Sequence, residues 1–118
     1  MKNFTVMVAE DEALIALDMV EGLRERGMDV IGPCMSLKEC MDCIGGAQTI
    51  DAAILDVDLA GKDVFPAAML LRKLGIPFIF HSGHLERAHL PRELADVPLF
   101  NKPAPLDSMA RGLQRTIN

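Results

Sequence analysis

The sequence predicts an α/β domain: a five-stranded parallel sheet, doubly wound by helices in a (βα)5 order. Three observations carry this. Short apolar runs alternate with segments of helical period along the whole chain, the pattern of βα units. The first run, "FTVMVA" (4–9), is apolar at every position but one, as a strand covered by helices on both faces should be. The length, 118 residues, suits one domain with one core and leaves little for a second.

The first helix is expected over 12–26. Ile15, Ala16, Met19, Val20 and Leu23 fall on one arc of about 140° at about 100° per residue, and Gly27 suits the stop. The second strand is "DVIGPCM" (29–35), where Pro33 marks an edge or a bent strand. Ser36 then caps a helix, Glu39 completes a capping box three residues on, and Gly45-Gly46 ends it. The third strand is "AAILDV" (52–57). A third helix covers 64–74, with Pro66 tolerable only in its first turn and Ala67, Leu70, Leu71 and Leu74 facing inward. "IPFIF" (76–80) is the fourth strand and "PLFN" (98–101) the fifth. A last helix starts near Pro105 and presents Leu106, Met109, Ala110, Leu113 and Ile117 on one stripe. Residues 81–97 lack a period and carry Pro91, with Pro98 directly after. They are expected to form a loop with one helical turn near 91–95 in place of a regular fourth helix, poor in backbone hydrogen bonds and fast in amide exchange over 83–96.

Composition narrows the function. A net charge of −5 argues against nucleic acid, which is held chiefly by basic patches. No apolar run approaches the roughly 20 residues needed to span a bilayer, and the N-terminus turns acidic before a signal sequence could form. Three cysteines without a secretion signal suggest a reducing cytoplasm. Cys40 and Cys43 form a C-x-x-C that raises metal or redox chemistry. However, they lie within a capped helix, Cys40 shares the Leu37/Met41/Ile44 face, and packing is the simpler reading. His81, His84 and His89 are crowded enough to raise a metal site, but loop histidines are ordinarily solvated.

Crossover handedness brings the C-terminal ends of parallel strands to one edge, where open α/β sheets bind ligands. Glu10 and Asp11, with Glu12, follow the first strand; Asp56 and Asp58 follow the third; Ser82 follows the fourth and Lys102 the fifth. Carboxylates are costly to bury, so a strand ending on acids ends at water, a cation or a reaction. This hard-oxygen set suits Mg2+ and not zinc, and Lys102 would attract an anion beside it.

"VMVAEDE", "AAILDVDLAGKD", "FIFHSG" and "FNKP" resemble, in order and spacing, the receiver domains of bacterial response regulators. The likeness covers essentially the whole chain (1–118), with no output domain expected, and implies a CheY-like, flavodoxin-like fold. It implies that Asp56 is the phosphoacceptor. Asp11 and Asp56 would ligate Mg2+ directly, Glu10 through water and Asp58 by its backbone carbonyl. Ser82 would be the switch hydroxyl, Lys102 the phosphate-pairing lysine, and Lys102–Pro103 the family's cis peptide. His84 stands where phosphoryl lifetime is tuned. The implied partners are a sensor histidine kinase or phosphotransfer protein and a downstream protein target, with the chain a monomer or weak dimer and not an enzyme beyond its own phosphorylation and dephosphorylation. "FHSGH" further resembles the FATGUY-type receivers, many of which lack a regular fourth helix. There are departures. Ala60 stands where Pro is frequent and Val64 where Gly is, so the loop after Asp56 should differ in shape. Leu99 occupies the place of the usual switch aromatic, and Phe100 should face the other side of the sheet.

Two rival readings remain. Asp56-Val57-Asp58 resembles the D-x-D of haloacid-dehalogenase-type phosphatases, but it sits on the third strand, and no later acidic pair follows. An unphosphorylated pseudo-receiver is disfavoured by the intact acid–Ser–Lys set.

Overall fold

The computed structural model describes residues 3–46, 48–83 and 89–117. Five parallel strands form one sheet: β1 (Thr5–Ala9), β2 (Asp29–Cys34), β3 (Ala52–Asp56), β6 (Phe78–Ser82) and β7 (Leu99–Asn101). Their spatial order is β2-β1-β3-β6-β7, so the order reverses beside β1 and creates a crevice at the strand ends. The helices are α1 (Ala13–Glu25), α2 (Leu37–Ile44), α3 (Phe65–Lys73) and α4 (Leu106–Ile117).

The two faces of the sheet are separate cores, read off alternate residues. Val6, Val8, Ala52, Ile54 and Ile79 pack with Met19 and Leu23 of α1 and with Met109 and Leu113 of α4. Their neighbours Met7, Ala53, Leu55, Phe78 and Phe80 pack with Cys40 of α2 and with Ala67 and Leu71 of α3. This period of two, apolar on both sides, is why the strands look uniformly hydrophobic. Leu99 joins the α2/α3 side and Phe100 the α1/α4 side, as the alternation requires.

β2 is an edge strand, and its register against β1 slips between Met7 and Ala9. Gly32 lies at the slip with φ of +108°; a Cβ there would stand 2.6 Å from the Val8 carbonyl oxygen. Only glycine fits that bulge. The Gly32–Pro33 and Lys102–Pro103 peptides are both cis. Ser36 caps α2 as expected, its Oγ accepting the Glu39 amide at 3.1 Å, while the reciprocal Glu39 Oε2 accepts the Met35 amide at 3.2 Å, one residue before the N-cap amide that a capping box would engage.

Three differences from the expected elements bear on the site. The fourth strand runs later than 76–80, because its ladder continues through Asp56↔His81 and Ser82↔Asn101, so Ser82 closes the strand. A small antiparallel hairpin, β4 (Asp58–Leu59) and β5 (Lys62–Asp63), follows Asp56 and was not foreseen. Its corner residues Ala60 and Gly61 have φ of +51° and +84°, the two left-handed positions of a tight hairpin. Proline cannot reach that φ, so the departure at Ala60 goes with a loop of different shape. Finally, Leu74 is 55 % and Ile117 45 % exposed, not inward: each lies at a helix end beyond the sheet, while Ala68 is buried in their stead.

Among the described residues between β6 and β7, Arg92–Leu94 form a 3-10 turn, within the 91–95 stretch where a helical turn was expected. The segment is better anchored than its prolines suggest. Leu90, Leu94 and Val97 are buried, and the amides of Leu94, Ala95 and Val97 all donate within it. Arg72 of α3 grips Asp96 through both terminal nitrogens (2.9 and 3.1 Å), donates to the Glu93 carbonyl, and lies 5.8 Å over the Phe78 ring. His84 lies outside the described residues, so its expected role has no structural counterpart here.

Candidate functional site

β1 and β3 are adjacent and end level, which brings Glu10 and Asp56 together at the C-terminal edge. Asp11 completes the group: one carboxylate oxygen from each of the three lies within 4.8 Å of the others. Lys102 arrives from the end of β7, held by its amide on the Ser82 carbonyl (2.8 Å). Its Nζ donates to Asp56 Oδ2 at 2.7 Å and to Glu10 Oε2 at 3.2 Å. Nζ also comes within ion-pair distance of Glu10 Oε1 (2.9 Å), without meeting hydrogen-bond geometry there.

Burial sets the electrostatics. Glu10 has no exposed surface, and desolvation raises its pKa to about 7 against the opposing pull of Lys102. Its Oε2 also accepts the Glu12 amide at 3.1 Å, which fixes the carboxylate at the start of α1. For Lys102, burial pulls the pKa down, but hydrogen bonds to Asp56 and Glu10 outweigh it and the net direction is up. The ammonium therefore remains charged. Asp56 is 5 % exposed, with Oδ1 accepting the Asp58 amide at 3.2 Å. A half-neutralised set of three buried or half-buried acids with hard oxygen donors fits a divalent cation, whose charge would repay the desolvation of Glu10.

The hairpin shapes the approach. Asp11 Oδ2 accepts the Ala60 amide at 2.9 Å, tying the loop after β1 to the hairpin corner. Asp58 Oδ1 accepts the Gly61 amide at 3.0 Å, so its carboxylate is engaged as a turn cap. That commitment disfavours Asp58 as the general acid of a D-x-D phosphatase. A cavity of about 410 Å3 opens above Asp56, bounded by Asp11, Asp58, Ser82, Gly83 and Lys102. A larger hollow of about 630 Å3 at the opposite end of the strands has its charges already paired: Asp51 accepts the Thr5 amide and Arg72 holds Asp96.

All of the residues expected at the site meet there: Glu10, Asp11, Asp56 and Lys102 in direct proximity, Asp58 and Ser82 on the cavity wall. Two residues of the region were missed or misjudged. Asp63 lines the cavity because the hairpin sets it opposite Asp58, and nothing in the local pattern announced that pairing. His81 is not a solvated loop histidine. It is 3 % exposed on β6, neither ring nitrogen has a partner among the described residues, and burial, then Lys102, lowers its pKa. Its place in "FIFHSG", continuing an apolar strand, was the available signal. His89 is exposed.

A buried strand-end aspartate, paired to a lysine and flanked by two acids on a 2-1-3-4-5 sheet, defines a receiver-type site. No family model matches the chain. Among curated proteins it is similar to the transcriptional regulatory protein PdtaR of Mycobacterium tuberculosis, 36% identical over 63 residues. That match takes in 53% of this chain, which spans only 30% of the length of the curated relatives it matches. Among solved structures, SdrG from Sphingomonas melonis Fr1 is 28% identical with a TM-score of 0.83, each chain covered in full. The BeF3-activated conformation of SdrG, from Pseudomonas melonis Fr1, is 30% identical with a TM-score of 0.75, again over both whole chains. A response regulator protein from Burkholderia pseudomallei, solved with a phosphorylated aspartic acid and a calcium ion, is 20% identical with a TM-score of 0.81 over 93% of this chain and 66% of that one. The chain belongs to the response regulator receiver domains.

Proposed function

We propose that this receiver is a phosphorylation switch in which Asp56 takes a phosphoryl group from a phosphohistidine of a sensor histidine kinase or phosphotransfer protein. A carboxylate oxygen of Asp56 attacks phosphorus; the new O–P bond forms as the N–P bond to the donor histidine breaks, and the imidazole leaves. The observation that carries this reading is the buried Asp56–Lys102 contact at 2.7 Å, opening on a cavity beside Glu10 and Asp11. Lys102 is placed to stay with the negative charge that arrives, and the cavity over Asp56 leaves room for it.

Mg2+ would be held by Asp11 and Asp56, with Glu10 and the Asp58 carbonyl assisting; when bound, it would neutralise charge on the transferring phosphoryl oxygens. Ser82, on the cavity wall, would hydrogen-bond the phosphoryl group and transmit its arrival to the segment that follows β6. The chain would thereby act on a downstream protein in the cytoplasm, without turnover of a substrate of its own. The aspartyl phosphate and metal ion of the Burkholderia protein and the beryllofluoride-activated form of SdrG are in keeping with this chemistry.

The test is acetyl phosphate with Mg2+, read by intact mass. One hydroxylamine-labile phosphoryl group is expected on the wild type and none on Asp56→Asn. Equal labelling of the mutant, or a hydroxylamine-stable product, overturns the assignment.

A further inference from the structure

β2 ends at Cys34, and Ser36 turns the chain so that α2 runs back beside it. Positions three apart on a helix are neighbours, so Cys40 and Cys43 both face that strand end. Cys34 is 2 % and Cys40 0 % exposed, whereas Cys43 is half-buried and reaches solvent. The Cys34 thiol donates to Cys43 Sγ at 3.2 Å. The three sulfurs do not gather tightly enough to hold one ion; among the described residues only the acids of the phosphoacceptor site do. Packing explains Cys40. It does not explain why a buried thiol and a half-buried one, nine positions apart, meet just below the protein surface.

We propose that Cys34 and Cys43 are a reversible dithiol–disulfide pair oxidised by hydroperoxides. Cys43, the thiol open to solvent, loses its proton and attacks the peroxide; its sulfur takes the hydroxyl as a sulfenic acid, and water or an alcohol leaves. Cys34 then attacks that sulfur, the S–S bond forms, and the hydroxyl departs with the Cys34 proton as water. Two electrons pass from the thiols to the peroxide. Closing from 3.2 Å to a bond of about 2.05 Å asks for roughly 1 Å of sulfur movement, available to a side chain at the solvent end of a short helix. Burial, then the Cys34 contact, raises the Cys43 pKa to about 11, and a hydrogen bond to Cys40, then burial, pushes the Cys34 thiol up as well. At neutral pH little thiolate is therefore present and the oxidation is slow, carried by the short sulfur–sulfur distance. The bond would lock the last turn of α2 to the end of β2, whose Cys34 carbonyl accepts the Glu10 amide at 3.0 Å. It would thus sit one backbone hydrogen bond from the phosphoacceptor site, though the proposal does not depend on that site's function.

The wild-type chain is treated with hydrogen peroxide, remaining thiols are alkylated under denaturing conditions, and tryptic peptides are mapped; Lys38 separates Cys34 from Cys40 and Cys43. The expected product is a monomer that has lost two of its three alkylatable thiols, joins Cys34 to Cys43, and regains all three with dithiothreitol. Cys40→Ala should still form the bond. Cys43→Ala, a change at a half-exposed position, should not. Three thiols still alkylatable, a Cys34–Cys40 link, disulfide-joined dimers or a sulfinic acid at Cys43 would each overturn the proposal.

Discussion

Lys102 Nζ lies 2.7 Å from Oδ2 of Asp56, although the two residues are 46 positions apart and at the ends of strands β7 and β3, which are not neighbours. The same ammonium contacts Glu10, so one cation holds two buried acids together. Lys102→Met should leave both without a counter-charge. Breaking a buried pair in this way costs about 3 kcal/mol. The loss should be largest in metal-free protein at pH 8 and smaller at pH 5, where Glu10 can take a proton. Urea unfolding at the two pH values checks this, and an equal loss at both would show that the charges are not the cause.

Glu10 also sets a pH dependence of its own. Its pKa is raised from 4.5 to about 7, so the folded metal-free protein binds a proton more tightly than the unfolded chain. The stability from this preference is complete below pH 4.5 and lost as pH rises through 7, a span worth at most about 3 kcal/mol. Thermal melts in chelator should therefore fall between pH 5 and 8, and Glu10→Gln should flatten that fall. Mg2+ affinity should move oppositely, weakening below pH 7 as the proton competes with the metal.

Asp11 has two tasks: a place in the acid group and acceptance of the Ala60 amide. Asp11→Ala should weaken Mg2+ binding by about tenfold or more, an effect of the size seen when an ion's charged support is removed. Calorimetric titration decides it. Unchanged affinity would place the ion elsewhere.

Phe100 rests directly on Gly112 of α4: a Cβ there would come within 2.5 Å of the ring's Cζ. Alanine is the better helix former, yet Gly112→Ala should destabilise by about 1–2 kcal/mol, because overpacking outweighs propensity. Adding Phe100→Leu should recover most of it. If Gly112→Ala is stabilising by itself, the ring has room that the structure denies it.

The segment before β7 should be mixed in amide exchange. Leu94, Ala95 and Val97 donate within a packed turn and should be protected, whereas exposed Gly83 should exchange fast. Arg72→Ala should speed exchange at Leu94 to Val97 without touching the acids, since it removes the grip on Glu93 and Asp96. Phosphorylation or beryllofluoride with Mg2+ should alter exchange after Ser82, and Ser82→Ala should keep the label on Asp56 while losing that change. Slow exchange at Gly83 before activation would count against this switch.

What the sequence determined by itself is what local physics controls. Apolar runs alternating with helical segments named the five βα units; Ser36 announced the α2 start; Pro33 marked the edge strand that the bulge at Gly32 realises. Because parallel crossovers put strand ends on one edge, Glu10, Asp11, Asp56, Ser82 and Lys102 could be grouped before any coordinate was known. Tertiary structure decided whatever depends on non-local packing. The hairpin after Asp56 is stabilised by an amide on Asp11, 49 positions earlier, which no local propensity encodes. The 90–97 segment looked weak because Pro91, and Pro98 directly after it, are visible in sequence, while the Arg72 grip and the buried Leu94 are not. Cys34 met Cys43 only because α2 turns back on β2. Short-range signals fix which element forms and which face it buries; distances between side chains depend on how whole elements pack.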